Sequence, residues 1–102
     1  MKNYDNLNNF VIFKITDESK REFLELTTFH NRYNFKYNLT KYINNDTKSS
    51  KSHSPLLKFF RMSKKVEIVP FEEIKNVEYF EAFNRIVELS KSLNINSSKC
   101  VL

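Results

Sequence analysis

There is no glycine among the 102 residues of this chain. A typical usage of about 7% would supply about seven. Its absence removes every chemistry in which a glycine loop lies against a phosphate, including the Walker loop and the GxGxxG turn. The gap has a compositional cause. Asn, Lys, Phe, Ile and Tyr make up nearly half the chain, with 13 Asn, 13 Lys and 10 Phe, against one alanine and two prolines. The favoured residues have A/T-rich codons and the scarce ones G/C-rich codons, as expected of a very A/T-rich genome such as that of many phages or mobile elements.

With 40% hydrophobic and 28% charged residues, the chain has the composition of one globular domain rather than of a disordered segment. The longest apolar run, Phe10 to Phe13, is far shorter than a membrane span or a signal-peptide core. Cys100 is the one cysteine, so no internal disulfide forms, and the expected location is a reducing one, the cytoplasm, with no membrane partner.

Charge is unevenly placed. Residues 1–30 carry a net −1 and residues 66–102 a net −2, while residues 31–65 carry +8. Codon bias would spread lysines evenly, so it does not account for this basic middle, and a patch of that size attracts polyanions. Its cations are Arg32, Lys36, Lys41, Lys48, Lys51, Lys58, Arg61, Lys64 and Lys65, opposed by Asp46 alone.

The pattern along the chain predicts a polar tail over 1–8, one domain over 9–94 and a second tail over 95–102. Residues 9–16, NFVIFKIT, read as a strand. Thr16 or Asp17 then offers an N-cap, and Phe23, Leu24, Leu26 and Thr27 suggest a helix to about residue 29. RYNFKYNL (32–39) alternates Tyr33, Phe35, Tyr37 and Leu39 with polar residues, a period of two that predicts a strand. A polar basic loop fills 44–54. Residues 56–62 suit a strand, although Ser54 and Pro55 could instead open a helix. VEIV (66–69) predicts another strand, which Pro70 confines to a strand end or a sheet edge. Asn76 can cap a helix over 77–93 whose apolar set (Val77, Phe80, Phe83, Ile86, Val87, Leu93) supplies the core, Phe80, Phe83 and Val87 above all. The expected fold is α+β: a small two-layer sandwich with three or four mostly antiparallel strands and two helices on one face, ferredoxin-like or similar.

No catalytic constellation emerges. His30 and His53 lie far apart with no second cysteine or carboxylate at metal spacing, and no cofactor or metal is expected. The acidic residues near the last helix read as its solvated face. Binding remains. Basic residues interleave with aromatic ones at Arg32-Tyr33, Phe35-Lys36-Tyr37, Lys41-Tyr42 and Lys58-Phe59-Phe60-Arg61, and single strands are held by cations on phosphate with rings on bases. Tyr33, Tyr37 and Tyr42 are the candidate stacking rings. On a strand, however, Tyr33 and Tyr37 would point away from Arg32 and Lys36 and into a core. RYNFKY also lacks the glycine of the RNA-recognition motif's consensus. The expectation is a non-enzymatic basic protein, part of or bound to a ribonucleoprotein such as a ribosome through RNA phosphates. The alternative is a phage, viral or mobile-element protein that binds and inhibits a single host protein.

Overall fold

A computed structural model of the chain describes residues 7–44, 55–60 and 63–102. Strands β1 (Asn8–Asp17) and β2 (Glu22–Thr28) form an antiparallel hairpin, paired from Phe10↔Thr28 to Thr16↔Glu22. The helix expected over 17–29 is therefore a turn followed by a strand. Asp17 decides this. Its Oδ1 accepts the backbone N–H groups of Ser19 (3.0 Å) and Arg21 (2.9 Å), which folds the chain back as an Asx-type turn rather than capping a helix. Lys20 takes a left-handed φ of 69° at the corner. With no glycine available, the other left-handed positions, Asn76 and Asn94, use the residue that tolerates that region best.

β1 is buried on both faces, and this organises the molecule. Val11, Phe13 and Ile15 point into one core with Phe23, Leu39, Leu56, Phe60 and Ile68. Ile12, on the opposite face, packs with Leu24, Ile86 and Leu89. A strand covered on both sides needs the continuous apolar run that β1 carries.

Helix α1 (Arg32–Asn44) replaces the strand expected at 32–39. Positions 33, 35, 37 and 39 satisfy a period of two, but they also contain two i,i+4 pairs. Only Phe35 and Leu39 find a surface to pack on, with the Phe35 ring stacked 5.5 Å from Phe13. Both sides of β1 are already taken by β2 and β3 (Val66–Val77), so no place in the sheet beside β1 is open to this segment. The single-turn helix α2 (Pro55–Phe59) likewise replaces the strand preferred at 56–62, with proline at its first position. It buries Leu56, and Phe60 just beyond it, over Phe23.

β3 starts where a strand was expected and runs on to Val77 as an edge, antiparallel to β1. Pro70 is accommodated on that edge, beside a register shift opposite Ile12 and Phe13. Helix α3 (Tyr79–Leu93) begins two residues later than its expected start. Asn76 is not its cap; it lies in β3 with φ 61° and donates its N–H to Asn9 Oδ1. The buried residues of α3 are Ala82, Ile86, Leu89 and Ser90. Phe80, expected in the core, is 57% exposed, and Leu93 is also exposed. The short side chain of Ala82 lets the helix approach the sheet, which leaves no room for phenylalanine on the contact line.

The short strand β4 (Asn96–Ser97) pairs parallel to β2, giving a mixed sheet of order β3-β1-β2-β4. Ser98 donates to Glu25 Oε1 at 2.5 Å, tying this last segment to β2. The architecture is a small α+β domain whose mixed sheet has two long antiparallel pairings and one short parallel one; the expected two-layer, ferredoxin-like arrangement does not form, and α1 and α3 lie on opposite faces. From β2 the chain crosses β1 by way of α1 and α2 to reach β3. It then returns across β1 and β2 by way of α3 to reach β4. Crossovers of one hand that travel in opposite directions along a sheet must lie on opposite faces. The two cores follow from that rule.

Candidate nucleic-acid interface

The helical conformation of 32–44 reverses the sequence reading of its side chains. On a strand the rings and cations separate; at 100° per residue, Arg32, Lys36, Tyr33, Tyr37 and Lys41 fall within one half of α1, and Phe35 and Leu39 fall within the other. Tyr33 is 71% exposed and Tyr37 65%. They stand one turn apart in solvent rather than in the core.

Arg32 is the most constrained of these groups. Its guanidinium carbon lies 3.5 Å from the Phe29 ring centroid and 4.4 Å from that of Tyr33, and its Nη1 donates to the Phe29 carbonyl at 2.6 Å. The charge is thus held between two rings at the start of α1, a desolvated cation–π arrangement. Lys41 reaches over Tyr37 with its Nζ 6.0 Å from the centroid. Lys36 is exposed between the two tyrosines. Among the described residues, none of these three cations forms an ion pair, and α1 itself contains no acidic residue. A cleft of about 170 Å³ opens beside them, lined by Val11, Phe13, Arg32, Tyr33, Lys36, Pro70 and Glu73.

Of the other basic residues of the middle third, the described Lys58, Lys64 and Lys65 do not join this cluster. Lys58 is exposed on α2, beside an apolar groove lined by Phe23, Phe59, Asn96 and Val101. Lys64 and Lys65 lie on the approach to β3, where their backbone N–H groups donate to the Glu18 carboxylate at 3.2 Å. The N–H of Glu18 itself, then burial in opposition, then those two donors set its acidity, and the net effect holds it below the usual carboxylate range. Lys65 also shares a cavity with Glu18 and Glu67, so the charge at this corner is locally balanced. Lys48, Lys51, Arg61, the side chain of Tyr42 and the loop at 45–54 lie outside the described residues.

Two arginines outside the basic middle, Arg21 and Arg85, act as fold supports. Arg21 Nε donates to Asp17 Oδ2 at 2.8 Å and its Nη2 to Ser63 Oγ at 2.9 Å, while the Ser63 hydroxyl donates to Asp17 Oδ2 at 2.8 Å. Burial pushes the Asp17 carboxyl up, but Arg21 and Ser63 together hold it below its ordinary value. Arg85 on α3 grips Glu72 of β3 through Nε (2.7 Å) and Nη2 (2.8 Å) and meets Glu88 through Nη1 (2.6 Å). The Arg85 hydrogen bond lowers the Glu72 acidity range, and both carboxylates raise that of Arg85. Only the return of the chain places these partners together, so spacing alone could not have found the Asp17–Ser63 or Glu72–Arg85 pairs.

Among the described residues no group of three or more His, Cys, Asp or Glu side chains could hold a metal ion, and no helix is long and apolar enough to cross a membrane. Comparison with protein-family models, with curated proteins and with solved structures finds no match to this chain.

Proposed function

We propose that this protein is a non-enzymatic RNA-binding module that works as a component of, or a factor bound to, a cytoplasmic ribonucleoprotein, with the outer face of α1 on the RNA. The observation that carries this reading is the pairing of two solvated tyrosines with three cations that form no ion pair among the described residues. Exposed rings cost solvation and are of use where something stacks on them. Bases supply a flat π-face and the phosphates between them supply the anions, so a single strand matches both halves of the surface. Lys58, Lys64 and Lys65 add longer-range attraction rather than contacts at this surface.

Salt dependence tests the proposal. Contacts from Arg32, Lys36 and Lys41 to three phosphates predict a log–log slope of about −2 for a single-stranded RNA. Replacing Lys36 and Lys41 with Ala removes about two-thirds of that slope. A slope near zero for the unaltered protein overturns it.

A second reading, inhibition of one host protein, draws on the opposite face. Tyr79 and Phe80 are both exposed at the start of α3, beside the acidic Glu78 and Glu81. It predicts a stoichiometric protein complex lost on Phe80→Ala, and no RNA binding at physiological salt.

A further inference from the structure

We infer that the cleft between α1 and β3 is a base pocket selective for guanine in a single strand, with Glu73 reading the base. The inference rests on the RNA-binding reading of α1 and adds to it a specificity.

Three features of the cleft converge on one kind of occupant. Its size comes first: about 170 Å³ is well below the roughly 300–1,000 Å³ of pockets that enclose a drug-sized ligand, and it suits one planar ring system. The walls come next. The lining includes the buried core residues Val11 and Phe13, Pro70 and the exposed Tyr33 ring. An apolar and aromatic lining accepts a flat heterocycle rather than a hydrated ion. The polar groups complete the case. Arg32 and Lys36 line the cleft together with Glu73, so cations and a carboxylate converge on the same small space.

The carboxylate decides which part of an RNA enters. It repels phosphate, so phosphates belong on the outer face of α1 and the group in the cleft must bring N–H donors. A carboxylate only accepts, and it takes two parallel donors best, as it does from an arginine fork. Among the four RNA bases, guanine alone offers two parallel donors on one edge, N1–H and N2–H. Adenine and cytosine each set one amine beside an acceptor nitrogen. Uracil sets one N–H between two carbonyls. Guanine therefore satisfies Glu73 through N1–H and N2–H, while Arg32, Lys36 and Lys41 stay with the phosphates on either side. In a duplex its donor edge is occupied by cytosine, so the pocket also selects single strands. Arg32 needs little reorganisation to meet a flanking phosphate, because Phe29, Tyr33 and the Phe29 carbonyl already hold it.

The test uses fluorescein-labelled uridine heptamers carrying one central guanosine, inosine or adenosine, with binding read by fluorescence anisotropy on the full chain. Inosine lacks only the N2 amine. The guanosine heptamer is expected to bind about tenfold tighter than the inosine one, the value of one charge-assisted hydrogen bond. Glu73→Gln should remove that difference and leave the salt slope unchanged. Lys75→Ala, on the same exposed strand, should leave the difference intact and so controls for damage to β3. A DNA heptamer with central deoxyguanosine should show the same preference over deoxyinosine, because the pocket reads the base and not the sugar. Equal affinity for guanosine and inosine with a normal salt slope overturns the base pocket while the α1 surface stands. Absence of binding at every salt concentration overturns both.

Discussion

The two faces of the sheet use charge in different ways. On the α3 face, Arg85 is spent on the fold: it joins helix to edge strand through Glu72 and to the next turn through Glu88. On the α1 face, Arg32, Lys36 and Lys41 have no carboxylate partner among the described residues, and two tyrosines stand in solvent beside them. The cores beneath differ as well. Five phenylalanine rings (13, 23, 35, 59 and 60) meet under α1 and α2, with Phe23 5.0 Å from Phe59 and Phe59 4.9 Å from Phe60. The α3 side has an aliphatic cluster of Ile12, Leu24, Ile86 and Leu89, with Phe10, Tyr79 and Phe83 in ring contact at the start of the helix. A helix whose outer charges are paired acts as a support. A helix whose outer cations meet exposed rings and no carboxylate among the described residues presents a surface.

The sharpest break in this comparison is a cut into the aromatic core. Phe23→Ala removes the ring that meets both Phe59 and Phe60 and should cost about 3–5 kcal/mol in urea unfolding. A loss below about 1 kcal/mol would mean that α2 does not seal this face. Next comes the corner where β1 turns into β2. Asp17 is almost fully buried, and Asp17→Asn should cost about 2 kcal/mol by weakening charged hydrogen bonds to Arg21 and Ser63.

The pH dependence has two opposite signs. The Asp17 acidity is depressed in the fold, so its contribution is full above the ordinary aspartate range and is lost as pH falls through the folded value. Burial, against the Ser98 and Leu26 donors, raises that of Glu25, so the folded state binds this proton more tightly than the unfolded chain does. Stability should therefore rise slightly from neutral pH down to the ordinary glutamate range, then fall below it. Glu25→Gln should abolish the rise and Asp17→Asn should blunt the fall, both read from urea midpoints across pH.

Smaller effects sharpen the contrast. Arg85→Ala should cost about 1 kcal/mol, and less at high salt, because the pair with Glu72 is part-exposed. Tyr37→Ala on the other face should change stability by less than about 0.5 kcal/mol while costing about 1–3 kcal/mol of RNA binding. A destabilisation as large as that of Phe23→Ala would place Tyr37 in the core after all.

Particular residues explain which of these features the sequence made legible. β1 was readable because two buried faces demand one apolar run, and α3 because its helical period is strong. The number of layers was not, since a strand's pattern shows that both faces are covered without showing by which element. Besides 56–62, two further segments changed type for local reasons. Asp17 fits a helix cap and an Asx turn equally well, and only the pairing of β2 with β1 chooses between them. Tyr33, Phe35, Tyr37 and Leu39 satisfy both periods, so their composition fits a strand while their packing is helical. The candidate site inherited that ambiguity. Its residue types were visible as basic and aromatic neighbours, but their convergence on one surface depends on the helix that the alternation concealed.

The claim that α1 is the binding face and α3 the supporting one is tested most directly by amide chemical-shift mapping. The ¹⁵N-labelled protein would be titrated with the guanosine-centred uridine heptamer at low salt. The account predicts that the largest perturbations fall on α1 from Arg32 to Lys41 and on Pro70's neighbours through Glu73, with the exposed turn of α3 around Tyr79 and Phe80 unmoved. Perturbations centred on Tyr79 and Phe80, with α1 silent, would contradict it.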